Sequence, residues 1–368
     1  MQASTAEVQG LTPPGRGARG KEGLPSWIRR HPLLLAGLFF GVGILAVIAV
    51  FCAWYESQVS LGPPKGQVIV NVRSGWSLSR VGVALSAAGV IHSSLAWHLY
   101  LLLHGSPVVS AGLYEMKKDE PFSMAMAQLR AGPSVYRFTV VPGMTVSDLV
   151  QLYGDLPGSH PDQLLADIKS GRWRSPYEPA GTSSLEGLLG AGNYLIGRGE
   201  NPGVFLSQMI ERFDATARSV GLNDAPALVG VSPYQAVIVA SLVAKEALLP
   251  SDRGKVARVV YNRLAKGMRL QFDSTVVYAL GGHVPGGVVT IKDTQVRSPY
   301  NTYLHKGLPP TPIATVDRAD LQAALHPTPG PWLYFVAVSA TGKEAFSTTY
   351  AGQLRNETLA EKNGVIHG

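Results

Sequence analysis

Glu246 is the residue best placed for acid-base chemistry, because it follows the almost wholly apolar run 235–244. Ser232-Pro233 supplies a cap and a first-turn proline, so the run reads as a helix buried nearly all round. Glu246 comes three residues after Val243 and seven after Val239, on the face those valines occupy. It also falls in the last turn before Leu249-Pro250, where the helix dipole disfavours negative charge by ~0.3 to 1 kcal/mol. Burial and dipole both raise its pKa, and a carboxyl kept protonated near neutrality is what a general acid requires. The same spacing suits a surface glutamate on a frayed helix end, and periodicity alone does not separate the two.

Other polar groups follow in the chain. A second amphipathic helix carries Val256, Val259, Val260 and Leu264 and stops at Gly267. Residues 268–272 read as extended, which projects Gln271 and Asp273 to one face. Asp273 or Ser274 caps a third helical segment over 275–280. A sheet-surface amide and a simple cap are the plain alternatives for Gln271 and Asp273. Ser298-Pro299-Tyr300-Asn301-Thr302-Tyr303 gathers hydroxyls, an amide and two aromatic rings before the stiff Gly307-Leu308-Pro309-Pro310. Such a set suits a sugar, or else a structural loop with incidental polar groups.

The elements that must position these residues alternate between strand and helix, which predicts an α+β fold. Val68 to Val72 alternates as a strand, Ser74-Gly75 turns, and Ser77 caps a helix carrying Leu78, Val81 and Leu85. Residues 136–141 repeat the design, with Pro142-Gly143 as turn and Thr145 as cap. Between them lie a helix over 94–103, a strand over 113–116 and a helix over 123–130 ended by Gly132. The stretch 157–192 reads as irregular, and its Trp173, Tyr177 and nearby Tyr194 line a groove or simply pack. A helix resumes at 202–220 with Phe205, Met209, Phe213 and Ala217 on one face.

Composition narrows the setting. The 24 residues from Pro32 to Tyr55 carry no charge and are long enough to cross a bilayer. Arg16, Arg19, Lys21, Arg29 and Arg30 precede the span, so the positive-inside bias puts the N-terminus in the cytoplasm and the rest outside. A cleaved signal peptide is the competing reading, but the run exceeds the usual apolar length and no clean cleavage site follows. The only cysteine among 368 residues, Cys52, lies in the span, which removes a disulfide framework and a thiolate metal site. A net charge of +7 suits an anionic partner, a lipid headgroup or an acidic wall polymer, and outside the cell nucleic acid drops out. Nine scattered histidines lack helical zinc spacing and there is no glycine-rich phosphate loop, so no metal and no organic cofactor is expected.

The chain resembles the MltG-type endolytic murein transglycosylases, also called the YceG-like family. Ala240-Ser241-Leu242-Val243-Ala244-Lys245-Glu246 matches that family's hallmark helix, whose last glutamate is the catalytic residue. Asn262-Arg263-Leu264, Gly267-Met268-Arg269-Leu270-Gln271, Asp273, Thr275-Val276 and Tyr278 continue the match. Tyr300-Asn301-Thr302-Tyr303, Gly307-Leu308-Pro309-Pro310, Ile313-Ala314-Thr315, His326-Pro327 and Leu333-Tyr334-Phe335-Val336 follow in order. The resemblance implies cleavage of the β-1,4 bond between N-acetylmuramic acid and N-acetylglucosamine in peptidoglycan, leaving 1,6-anhydromuramoyl ends. It implies Glu246 as acid and then base, with Asn262, Gln271, Asp273, Thr275, Tyr300, Asn301, Thr302 and Tyr303 holding the sugar. Its implied partners are nascent glycan strands, the membrane lipid bilayer and peptidoglycan synthases.

The expected organisation is a cytoplasmic disordered tail 1–31, a transmembrane helix 32–55 and a linker 56–66. A LysM-like glycan-binding module then occupies 67–134, the catalytic domain 135–355 and a C-terminal tail 356–368. Two departures from the family pattern stand out. Ala244 replaces the first glutamate of the hallmark, and Gly190-Ala191-Gly192-Asn193 replaces a Pro-Asp stretch beside Glu186, Gly187 and Tyr194. Two rival readings follow: a muramidase-type hydrolase using Glu246 with Asp273, and a non-catalytic, membrane-anchored glycan-binding assembly factor.

Overall fold

The computed structural model describes residues 32–60, 63–284 and 287–365. The basic tail of 1–31 and the last three residues lie outside the described residues. The fold is α+β and divides into two compact units. The first takes the chain up to residue 68, then 77–107 and 117–127. The second takes 69–76, 108–116 and everything from 128 onward.

The first unit begins with α1 (Pro32–Val59), which is exposed along the run from Val42 to Ala53 and half-buried at Trp54 and Tyr55. The helix runs a full turn past Tyr55, so part of the expected linker is helical. Helix α2 (Leu78–Ala87) starts at Ser77, whose hydroxyl accepts from the Arg80 N–H, as the sequence predicts. Helix α3 (Ser94–His104) is capped in the same way by Ser93. Trp97 of α3 is wholly buried, with its ring 5.5 Å from Phe122 in an edge-on contact. A Cβ at Gly82 of α2 would sit 2.4 Å from that indole, so the helix pair depends on a glycine there.

A four-stranded sheet, most of it in the second unit, has the order β1-β2-β3-β4 and is formed by Lys65–Val72, Gly112–Lys118, Val135–Val140 and Gly192–Gly197. Strands β3 and β4 pair antiparallel from Val135 opposite Gly197 to Val140 opposite Gly192. A helix, α4 (Phe122–Ala131), precedes β3, and α5 (Val146–Gly154) follows it. Thr145 and Asp148 close a reciprocal capping box at the start of α5. The stretch read as irregular contains α6 (Pro161–Lys169), a correction to that expectation. Only Leu164 and Ile168 are buried there, and two apolar residues one turn apart give too short a period to detect.

Helix α7 (Pro202–Ser219) buries Phe205, Met209, Phe213 and Ala217, the face expected from its spacing. Phe205 stacks on Tyr153 at 5.6 Å and takes Phe138 and Tyr194 edge-on. After the short α8 (Ala225–Val229) comes α9 (Pro233–Glu246), the centre of the core. Its residues from Ala236 to Val243 are all buried, and it packs against α10 (Arg253–Ala265), α11 (Asp273–Ala279) and α12 (Arg318–Leu325). A hairpin of β5 (Tyr334–Ala337) and β6 (Glu344–Ser347) and the final helix α13 (Tyr350–Lys362) complete the unit.

Candidate active site

The site is built where two helix ends meet. Helix α9 starts at a capping box between Ser232 and Gln235 with Pro233 at its first position, and it stops at Glu246. The Ser241 hydroxyl donates to the Ile238 carbonyl and accepts from the Ile313 N–H, which ties the helix to the segment after the proline pair. Ala247 is extended, so the chain turns away and leaves Glu246 at the rim of a cleft of about 570 Å³.

The opposite wall begins with Gln271, whose φ of 50° is unusual for a non-glycine residue. Residues 268–272 therefore do not form the expected strand, and the one-face argument for Gln271 and Asp273 fails. Both residues nevertheless line the cleft with Glu246. Backbone and hydroxyl contacts to one loop residue hold this bend: the Gln271 N–H donates to the Thr302 carbonyl and the Phe272 N–H to Thr302 Oγ1. Thr275 Oγ1 donates to the Phe272 carbonyl and lies 2.9 Å from Thr302 Oγ1. Neither Asp273 nor Ser274 caps α11, and the position before the helix is Phe272.

Freed from capping, both side chains serve the cleft. Ser274 donates to Glu246 Oε1 at 2.5 Å. Tyr303 donates to Asp273 Oδ1 at 2.6 Å. Burial raises the Glu246 pKa from 4.5 to about 7; hydrogen bonds from Ser274 pull against that rise, and the Asp273 charge adds to it. Glu246 is not a freely exposed glutamate on a frayed end: it is half-buried, held by the Ser274 hydroxyl, and protonated about half the time near neutrality. Arg263 also lines the cleft, with Nε donating to the Leu333 carbonyl and Nη1 to those of Arg269 and Leu270.

The other sugar-holding candidates lie outside the cleft lining. Asn262 donates to the Gly330 and Trp332 carbonyls, and Asn301, fully buried, donates to those of Thr294 and Val296. The Tyr300 hydroxyl is 3.0 Å from Thr311 Oγ1 and its ring lies 4.8 Å from Tyr278. Thr275 and Thr302 are buried as described. Of the predicted set, the cleft brings together Glu246, Gln271, Asp273 and Tyr303; Asn262, Thr275, Tyr300, Asn301 and Thr302 do not line it.

Sequence reasoning missed Glu344. It lines the same cleft from β6, is buried, and leaves Oε2 without a partner among the described residues. Burial lifts its pKa to about 7, with Asp252 and Glu246 adding to the rise. A charge in a short alternating strand reads as solvent-facing, so nothing in the sequence marks it.

Another buried acid, Glu186, stands apart from the cleft lining. Glu186 accepts from the Val146 N–H at the start of α5 and from the Tyr278 hydroxyl, and burial raises it to about 7. The departing stretch around Gly190 packs on α7: Gly190 N–H donates to the Met209 carbonyl, and the Arg212 guanidinium lies 4.5 Å over the Tyr194 ring. Tyr177 and Tyr194 are core residues, whereas Trp173 borders a separate cavity of about 610 Å³. Among the described residues no group of three or more His, Cys, Asp or Glu side chains gathers to hold a metal.

A profile of the YceG-like family matches residues 70–358. An endolytic murein transglycosylase of Bacillus subtilis is 31% identical over 326 residues, covering 81% of this chain and 87% of that protein. An endolytic murein transglycosylase of Streptococcus pneumoniae serotype 2 is 25% identical over 333 residues, covering 79% of this chain and 58% of that longer protein. The crystal structure of a YceG-like protein from Listeria monocytogenes aligns with a TM-score of 0.54 at 27% identity, over 79% of this chain and 99% of that one.

Proposed function

The chain belongs to the YceG-like family, and from that membership and the surroundings of Glu246 we propose that it is a membrane-anchored endolytic murein transglycosylase. The observation that carries the reading is a carboxyl at the rim of an open cleft whose pKa stands at about 7. Such a group is protonated often enough to give up a proton and ionised often enough to take one back.

Both steps use that property. Protonated Glu246 donates to the glycosidic oxygen as the bond to C1 of N-acetylmuramic acid breaks and an oxocarbenium-like centre develops. The resulting carboxylate then removes the proton of the same sugar's C6 hydroxyl while that oxygen closes onto C1. The proton returns to Glu246, no water is consumed, and the product is a 1,6-anhydromuramoyl end. The Ser274 hydroxyl fixes the carboxylate orientation in both steps. Gln271, Asp273 and Tyr303 hold the sugar, with the negative charge of Asp273 facing the developing cation. Thr275 and Thr302 act as positioning residues that keep the bend at Gln271 in place, while Asn262 holds the segment at Gly330 and Trp332, Asn301 the turn at Thr294 and Val296, and Tyr300 reaches Thr311.

Helix α1 is the anchor in this reading, with the N-terminus cytoplasmic and the cleft outside, where nascent glycan strands and their synthases are the partners. The LysM-like reading of 67–134 supplies further glycan contact. Digestion of purified glycan strands in heavy-oxygen water tests the reaction. The expected muramoyl ends carry no solvent label and resist borohydride. Labelled, reducible ends make the enzyme a muramidase in which Asp273, in the same cleft, partners Glu246. No cleavage at all by the folded protein leaves the binding-factor reading.

A further inference from the structure

Helix α3 has an outward face that water does not suit. Its eleven residues include no Lys, Arg, Asp or Glu. Ala96, Trp97, Tyr100 and Leu101 face inward and are buried. On the other side Leu95, Leu102 and Leu103 are 62%, 70% and 72% exposed, the half-buried Leu99 joins them at helical spacing, and the exposed His98 borders them with its Nδ1 turned to Ser79 Oγ at 3.5 Å. A helix at a protein–water surface carries polar residues on its outer face, and a contiguous exposed leucine stripe marks a contact surface.

The neighbouring element says what covers it. Helix α3 packs against α1 within the same compact unit, and Trp54 and Tyr55 are half-buried where the preceding stretch of α1 is exposed. Trp54 and Tyr55 are the aromatic pair at the end of the apolar span, the residue types that settle at headgroup level. Packed on α1, α3 has the boundary between acyl chains and headgroups as the apolar layer within reach of its leucines. Resting on the anchor reading of α1, we propose that α3 lies in the interfacial layer of the outer leaflet with Leu95, Leu102 and Leu103 in the acyl boundary. The anchor is then a helix pair, one crossing the bilayer and one lying on it.

Full-length protein in anionic phospholipid vesicles tests this, because Cys52→Ser leaves no other thiol. Single cysteines at Leu102, at Phe40 in the span and at Glu361 on α13 are labelled with an environment-sensitive fluorophore. The expected result is blue-shifted emission at positions 40 and 102, quenched by nitroxides on the lipid chains, with 102 quenched best by shallow ones. Position 361 stays aqueous. An aqueous label at 102 beside a quenched label at 40 overturns the interfacial placement and leaves the anchor intact. A label at 102 whose shift grows with the protein-to-lipid ratio and ignores the nitroxides means a second copy covers the face, which also overturns it. An unquenched label at 40 removes the anchor and this inference with it.

Discussion

Ser274 donates its hydroxyl to Glu246 Oε1 at 2.5 Å, so the C-terminal residue of α9 and the second residue of α11 grip one another across the cleft. The contact does two things at once. It fixes which oxygen of the carboxyl remains free for a substrate, and it opposes the rise in pKa that burial imposes.

Removing the proton carrier should stop the chemistry and leave the fold. Glu246→Gln keeps the shape and the Ser274 contact but cannot donate or accept the proton, so kcat should fall by about 10²- to 10⁴-fold or more. Circular dichroism and glycan co-sedimentation should match the parent protein. Retention of more than a tenth of parental turnover would put the acid elsewhere.

The two neighbours of Glu246 should move its titration in opposite directions. Activity needs the protonated acid, so kcat declines as pH rises through about 7. Ser274→Ala removes a hydrogen bond that favours the carboxylate, and the decline should shift to higher pH. Asp273→Asn removes a charge that disfavours the carboxylate, and the decline should shift to lower pH. Pre-steady-state cleavage rates between pH 5 and 9 check both, and parallel shifts would refute the assignment.

Glu344→Gln should act on the same profile more weakly, because Glu344 shares the cleft with Glu246 and acts on it through charge. Glu344 is itself about half ionised near pH 7, so the amide removes part of a negative charge there and the alkaline decline should again move to lower pH, by less than with Asp273→Asn. An unchanged profile with a raised KM would instead make Glu344 a contact for the substrate alone.

Folding raises Glu186 from 4.5 to about 7, so the folded protein holds a proton that the unfolded chain has released between those values. Stability is therefore full below pH 4.5 and falls as pH rises toward 7, by on the order of 3 kcal/mol for a shift of this size. Glu186→Gln still accepts from the Val146 N–H through its amide oxygen and has no charge to lose. Its Tm should equal the parent's near pH 5 and exceed it at pH 8, measured by differential scanning fluorimetry.

Gly190 is a close-approach glycine: a Cβ there would lie 2.8 Å from the Phe213 backbone nitrogen. Gly190→Ala should destabilise by about 1 to 3 kcal/mol through overpacking. Since Gly190 does not line the cleft, the folded fraction should retain parental kcat. A selective loss of kcat would place the stretch in the reaction path.

Local signals carried the helices and failed at the bend. Ser77, Thr145 and Ser232 cap the helices they precede because a hydroxyl before an apolar period is a local device. Glu246 was legible because α9 is apolar on every side before it. The hairpin partner Glu344 was not, since its burial depends on β6 lying over residues almost a hundred positions earlier. The expected strand at 268–272 failed because Thr302, far along the chain, imposes the left-handed turn at Gln271. Asn262 and Asn301 read as sugar contacts for the same reason: sequence shows an amide, and only the folded chain shows carbonyls already occupying it.

Helix α9 ends in the acid and is also the most enclosed element of the core, which links the cleft to global stability. The amides of Val243, Lys245 and Glu246 hang on the carbonyls of a helix that cannot open without exposing the whole centre of the unit. Their hydrogen exchange should require a subglobal opening rather than a loop fluctuation. Any substitution that eases that opening also loosens the acid, so cleavage should fade on the same temperature scale as exchange protection of α9.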